Sequence, residues 1–285
     1  MPSLIDIRRR IRSVKSTQQI TKAMKMVSAA KLRRAQERAV AARPYGNSLN
    51  RMLANVAAAA TKNDEVHHPL LAVREEKRVQ LVLVSSDTGL AGAFNANLLR
   101  LAQKFADDNR DKDVRIEAIG RKGRDYFRRR SYNLSGEHIG VVDKPNYAIA
   151  REIGETLIER YTNAEVDAVY LCVNEFKSVM APNLVLRRIL PVELPSSSET
   201  IDYIYEQPPT ELLAALLPRY VEVQLYRALL ESISAYHAAR MAAMDAASSN
   251  AGDMIDKYTL DMNRVRQAKI TREIIEIVSG AAAAQ

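Results

Sequence analysis

Four groups of residues in this 285-residue chain have types and spacing that could do chemistry. The loop Ser85-Ser86-Asp87-Thr88-Gly89-Leu90-Ala91-Gly92 follows a run of Val and Leu, as a phosphate-cradling turn would. It is not G-x-G-x-x-G, and no G-x-x-x-x-G-K-[ST] occurs in the chain. Any strand-to-helix unit needs a Gly-containing turn for close packing, which is the preferred reading. Within it, Asp87-Thr88-Gly89 spells the aspartic-protease triplet. That chemistry needs two carboxylates sharing a proton, and the chain has one copy in helix-rich surroundings. His67-His68 could contribute to a metal site, but adjacent histidines do not complete one, and Pro69 marks the stretch as a solvated loop. His138 and His237 stand alone, with His237 assigned to a helix surface. Cys172 lies among Val and Leu as a core residue. One cysteine excludes a disulfide framework and a Cys-based zinc site, and it fits a reducing compartment. The expectation is a chain with no catalytic, cofactor-binding or metal-binding residues and no cofactor of its own.

The fourth group is basic. Residues 1–43 carry 12 Lys+Arg against 2 Asp+Glu, a local charge of +10 in a chain of net charge +8, so the remainder sums to −2. The cations encircle a helix. Such a bias calls for an anionic partner: nucleic acid, anionic lipid or an acidic protein surface. A basic helix leading into a coiled coil occurs in DNA-binding zipper proteins. Here no leucine zipper follows it, and its predicted helical partner lies at the far end of the same chain. An acidic protein partner is preferred. A basic coiled-coil nucleic-acid-binding protein is the alternative, and a nucleotide-dependent α/β enzyme is a distant third.

The elements that position these groups fall into three parts. Ser3 to Arg43 contains neither Gly nor Pro and is rich in helix formers. Ser3 with Asp6 three residues on reads as a helix start, and Leu4, Ile7, Ile11 and Val14 follow one helix face. Pro44 and Gly46 predict a kink or short interruption before helix resumes at Ser48–Ala60. Arg219 to Ser279 has no proline and one glycine, and 61 helical residues would span roughly 90 Å. A helix that long leaves the body of its protein or runs along a partner. Val221, Leu225, Ala228, Ser232, Ala235, Ala239, Ala242, Ala246 and Ser249 alternate steps of four and three, a small-residue coiled-coil seam. Between these helices, strands are expected at Arg78–Ser85, Val114–Gly120, Val166–Asn174 and Leu184–Leu190. Helices are expected at Asn95–Ala106, Asp125–Arg130 and Tyr147–Tyr161. Pro191–Pro209 reads as a linker. The expected fold is mixed α+β and α/β. A long antiparallel coiled coil of the terminal helices (1–60 and 210–285) carries an inserted, small, Rossmann-like α/β domain (75–195).

Hydrophobic residues are 47% and charged residues 27%, enough for a real core. No apolar stretch approaches the ~18 residues of a membrane span, and no secretory signal pattern opens the chain.

Long stretches at both ends resemble the γ subunits of F-type ATP synthases. Ile5-Asp6-Ile7-Arg8-Arg9-Arg10-Ile11 through Thr17-Gln18-Gln19-Ile20-Thr21-Lys22-Ala23-Met24-Lys25-Met26-Val27 is similar to the start of that family, as is Ala42-Arg43-Pro44-Tyr45. Arg266-Gln267-Ala268-Lys269-Ile270-Thr271-Arg272-Glu273 through Ala282 is similar to its signature segment. Ala238–Met244 and Tyr203-Ile204-Tyr205-Glu206 also match. The resemblance implies a central rotor stalk whose terminal helices turn inside a ring of three α and three β subunits, where the ATP sites lie. It implies an ε subunit and a membrane c-ring as further partners, no nucleic acid, and membrane contact only through the complex. Met24 and Lys25 match positions near acidic β loops. Arg266, Gln267, Thr271 and Glu273 match positions that bond β loops, and Arg240 matches a further coupling position. Tyr203, Tyr205 and Glu206 match the foot near the c-ring and ε. Ile270, Ile274 and Ile277 match an apolar tip in a hydrophobic sleeve. The family often has Arg where this chain has Thr88 and Cys where it has Ala91. The chloroplast-type cysteine insertion is absent. The chain begins directly with the family motif, which favours a bacterial source and a place on the cytoplasmic face of the plasma membrane.

Overall fold

A computed structural model of the chain describes residues 3–63, 68–142, 145–176, 182–194 and 205–283. Strong helix formers give two long helices, α1 (Leu4–Asn63) and α5 (Pro209–Ala283). Ser3 Oγ accepts the Asp6 N–H at 3.2 Å while the Asp6 carboxylate accepts from the Ser3 N–H and hydroxyl, a reciprocal cap at the start of α1. The short interruption expected near Pro44 and Gly46 is absent, and helix continues through both. Pro44 lies inside α1, and the side chain of Arg227 packs where a Gly46 Cβ would meet it at 3.1 Å. The chain forms two compact units, residues 29–240 and residues 1–28 with 241–285, and both long helices contribute to each.

The unit 29–240 is built on a five-stranded sheet. Its strands are β1 (Arg78–Val84), β2 (Asp113–Ile119), β3 (Leu134–His138), β4 (Ala168–Phe176) and β5 (Pro182–Leu190). The order is β3-β2-β1-β4-β5, all parallel except β5, which runs antiparallel to β4. Successive side chains point to opposite faces. Leu81 and Leu83 therefore pack with Cys172 against α2 (Phe94–Asp108) and α3 (Arg121–Arg128). Val82 and Val84 pack against α4 (Tyr147–Thr162) and segments of α1 and α5, through Leu53, Leu157 and Val221. Cys172 is fully buried, and burial pushes its thiol up to about 12.

Two expectations change here. Strand β3 was not foreseen. Its sequence, Leu-Ser-Gly-Glu-His, has no β-branched residue and carries a glycine, and it is defined by partners distant in sequence. Helix α3 begins at Arg121 rather than Asp125. Gly120 precedes it at φ +95°, and a Cβ there would lie 2.3 Å from the Ser85 carbonyl oxygen. Asp87 accepts the Arg121 N–H at 3.0 Å. A cap supplied from 34 residues away leaves no local sequence signal.

In the other unit, Ile7, Thr21 and Ser28 of α1 are buried and Leu4, Ile11, Val14 and Gln18 are half-buried, one heptad face. They meet α5 in the antiparallel sense. Gln18 donates to the Ser248 carbonyl at 3.2 Å, Thr21 and Ser248 hydroxyls bond at 2.7 Å, and Lys25 pairs with Asp245 at 2.6 Å. The buried face of α5 here is Met244, Ser248 and Ala251, whereas Ala242, Ala246 and Ser249 of the expected seam are exposed. Between Ser232 and Ala238 every residue of α5 is buried, so that stretch could not fix the phase of the repeat beyond it.

Candidate subunit-interaction surfaces

The crevice beyond the carboxyl ends of parallel strands is where an α/β sheet of this kind offers a ligand site. Here the chain fills it. Ser85 Oγ accepts the Gly123 N–H at 2.8 Å and donates to the Ile119 carbonyl at 3.0 Å. The two Asp87 oxygens accept main-chain N–H groups from Arg121 and Gly140, so the carboxylate occupies the α3 N-terminus where an anion would bind. Helix α5 crosses the same end: Ser232 Oγ donates to the Val84 carbonyl at 3.3 Å, and the Tyr236 and Thr88 hydroxyls bond at 2.5 Å. Tyr236 also packs edge-on against Phe94, at 5.6 Å between ring centroids. The loop that invited phosphate chemistry is a cap and a packing surface.

His68 is half-buried rather than solvated, and its Nδ1 accepts the Leu70 N–H at the head of a short 3-10 turn. Burial lowers its pKa. His67 lies outside the described residues. His237 is buried beside the Tyr236 ring, not on the surface, because α5 is enclosed on all sides at that level. His138 does not stand alone: its Nε2 lies 2.8 Å from Glu117 Oε1. Glu117 also accepts from Arg160 at 2.8 Å and Ser135 at 3.1 Å, with its side chain 3% exposed. Burial pushes this carboxyl up, but the hydrogen bonds and charges of His138 and Arg160 outweigh it and hold the group below its ordinary value. A Cβ on Gly136 would lie 1.9 Å from Glu117 Oε1, so the cluster requires glycine there. Among the described residues, no group of three or more His, Cys, Asp or Glu could hold a metal ion. No described helix is long and apolar enough to cross a membrane.

The remaining described residues singled out in the sequence lie on the two long helices and just before α5. Met24 and Lys25 are half-buried on α1, and Lys25 is drawn to Asp245. Arg266, Gln267, Thr271 and Glu273 are exposed on α5 within about two helical turns. The Thr271 hydroxyl donates to the Gln267 carbonyl at 3.0 Å, and Lys269 approaches Glu273 at 3.5 Å. Ile270, Ile274 and Ile277 leave 47%, 55% and 71% of their surface open, alongside exposed Ile275 and Val278. An uncovered apolar run of this size on one helix marks a surface that another protein covers. Arg240, in the other unit, donates to Tyr236 Oη at 3.0 Å. Tyr205 is half-buried against the core, Glu206 is exposed, and Tyr203 lies outside the described residues. The structure thus groups Arg266, Gln267, Thr271 and Glu273, and separates them in sequence and surroundings from Arg240 and from Tyr205 and Glu206. Sequence reading missed Asp87, Tyr236 and the Glu117 cluster. The only signal for the last was a carboxylate flanked by Ile116, Ala118 and Ile119 at the apolar end of the expected strand.

A family model described as ATP synthase matches residues 3–284. Among curated relatives, the ATP synthase gamma chain of Solibacter usitatus is 61% identical over 100% of both chains. That of Pelotomaculum thermopropionicum is 48% identical over 99% of each. Among solved structures, the central stalk and c-ring of Tetrahymena thermophila mitochondrial ATP synthase matches with TM-score 0.63 and 26% identity. It covers 80% of this chain and 99% of the other. A chain of the Euglena gracilis mitochondrial enzyme shares the fold, with TM-score 0.68 at 16% identity, covering 98% of this chain and 94% of the other.

Proposed function

The chain belongs to the ATP synthase gamma-chain family, and from that premise we propose how its surfaces work in the motor. It is a non-catalytic subunit of the ATP synthase complex, its central stalk. The observation that carries the mechanism is the exposed end of α5. A helix that displays Arg266, Gln267 and Thr271 beside an uncovered isoleucine run has polar groups for specific bonds and an apolar tip for non-directional contact.

In this reading, α1 and α5 pair as an antiparallel coiled coil that enters a ring of three α and three β subunits, and residues 75–195 form the inserted Rossmann-like domain. The strand order β3-β2-β1-β4 supports that description of the insertion. The basic face of α1, with Met24 and Lys25, meets acidic β loops. Arg266, Gln267, Thr271 and Glu273 bond to β, and Arg240 adds a coupling contact. Tyr203, Tyr205 and Glu206 form the foot on the c-ring and ε. The complex sits at the cytoplasmic face of a bacterial plasma membrane, to which this chain is peripheral.

One asymmetric shaft makes different contacts with three identical β subunits at any moment. Only such differential contact shifts each β between open and closed states. Turning the shaft exchanges those states in sequence. A small-residue seam with polar bonds at Gln18, Thr21 and Ser248 keeps the two helices close, so that torque passes along both. Co-expression with α and β subunits is the test. The expected product holds one copy of this chain per three β, with ATPase turnover that is lost when the chain is omitted. Recovery of α and β without it, at equal turnover, would contradict the assignment.

A further inference from the structure

A line of hydrogen bonds runs from the loop after β1 to Arg240 on α5. Asn95 Oδ1 accepts the Ser86 N–H at 3.2 Å, and the Ser86 hydroxyl donates to the Thr88 carbonyl at 2.7 Å. The loop is held by these bonds, and its Thr88 hydroxyl lies 2.5 Å from the Tyr236 hydroxyl. Arg240, one helical turn beyond Tyr236, donates from Nη1 to the same phenol oxygen at 3.0 Å. A phenol has one proton and acceptor lone pairs, so it can serve both neighbours at once. Tyr236 cannot follow the arginine if the arginine moves. It is 3% exposed, its ring packs edge-on against Phe94, and the His237 ring lies 5.1 Å away.

Arg240 is placed differently. It is half-buried, its Nε is buried without a hydrogen-bond partner, and it makes no ion pair within 4 Å among the described residues. Tyr236 Oη is the one acceptor that its guanidinium has among them. A guanidinium carries five donors and a full charge, and leaving these partly desolvated without an acid nearby is costly. A charge kept in this state is ready for an acceptor that another chain supplies.

We propose that Tyr236, braced by Thr88, is a positioning residue that holds the Arg240 guanidinium in the orientation it uses toward an anionic acceptor of a β subunit. The proposal rests on the reading of Arg240 as a coupling contact. A free arginine side chain samples many rotamers, and ordering it costs free energy whenever a contact forms. A shaft that presents one arginine to each β subunit in turn meets that cost at every encounter. A guanidinium already set by a buried ring meets less of it. The phenol oxygen is a neutral acceptor, so it orients the cation and leaves the charge for the partner. The loop that could have cradled a phosphate thus acts on the motor through α5.

The test is a double-mutant cycle in the assembled complex of α, β and this chain. Tyr236→Phe keeps the ring against Phe94 and removes the acceptor. It should lower ATPase turnover roughly three- to tenfold, the size of one neutral hydrogen bond. Arg240→Ala should lower turnover at least as far, and Tyr236→Phe should then add nothing. Thr88→Val should reproduce part of the Tyr236→Phe loss, whereas Thr88→Ser, which keeps the hydroxyl, should retain full turnover. A Tyr236→Phe loss of the same factor with and without Arg240 would show that the phenol acts on folding alone, and it overturns the proposal. Full turnover in Tyr236→Phe beside an impaired Arg240→Ala overturns it too, with the coupling role of Arg240 intact. Equal turnover of Thr88→Val and Thr88→Ser overturns the bracing by Thr88. Full turnover in Arg240→Ala overturns the coupling reading of that residue together with the proposal that rests on it.

Discussion

Glu117→Ala lowers the folding stability of the chain by about 3–5 kcal/mol. The Glu117 carboxylate is the common acceptor for His138, Arg160 and Ser135 beneath the edge strand β3. Removing it leaves the Arg160 guanidinium facing Gln80, Ser135 and a void, with no counter-charge in the cluster. Breaking a buried pair from one side costs far more than the pair itself contributes, because the surviving charge stays desolvated. Glu117→Gln keeps an acceptor for Arg160 and the shape of the side chain, so its loss is smaller. Denaturant unfolding of both variants and the unsubstituted chain measures the two differences. A Glu117→Gln chain as stable as the unsubstituted one would show that the charge is irrelevant, and equal stabilities of the two variants would show that the retained acceptor is. A pH dependence follows with a fixed sign. The folded carboxyl sits below its ordinary value of 4.5. Its contribution is therefore complete above that value and is lost as pH falls through the depressed one. Glu117→Gln should flatten the stability profile in that acidic window, so that its deficit against the unsubstituted chain is full near neutrality and shrinks as pH falls through it.

Arg266→Ala with Gln267→Ala reduces ATPase turnover of the reconstituted complex by roughly ten- to a hundredfold. That is the size expected when hydrogen bonds involving a charged group, each worth about 1.5–3 kcal/mol, are lost from a state that must form in every cycle. Folding stability changes by less than about 0.5 kcal/mol, because both side chains are exposed and alanine favours helix. Turnover measured against thermal unfolding of the same preparations separates the two effects. Unchanged turnover would remove these positions from the coupling contacts.

The parts of the fold set by local chemistry were legible in the sequence. The helix start at Ser3 and Asp6, the α1 face through Ile7, Ile11 and Val14, and the Val- and Leu-rich strands β1 and β4 all follow from spacing and propensity. What was hidden depends on partners far along the chain. Strand β3 exists because its edge closes the Glu117 cluster, and α3 starts where Asp87 and Gly120 place it. The α5 seam could not be phased because Ser232 to Ala238 is buried all round, and His237 was misplaced to the surface for the same reason. The interaction residues were legible in another sense. Arg266, Gln267, Thr271 and Glu273 came from resemblance, and geometry contributes their exposure beside an uncovered apolar run.

Observation of turning tests the central claim most directly. Cys172 is buried and its thiol is pushed up to about 12, so it stays unreactive and Glu206→Cys supplies a single labelling site at the proposed foot. A bead attached there, on a complex held to glass through its β subunits, should turn in one direction in three equal steps per revolution when ATP is supplied. It should stop when ATP is withdrawn. A labelled complex that hydrolyses ATP at its full rate while the bead shows only undirected motion would contradict the assignment of this chain as the shaft.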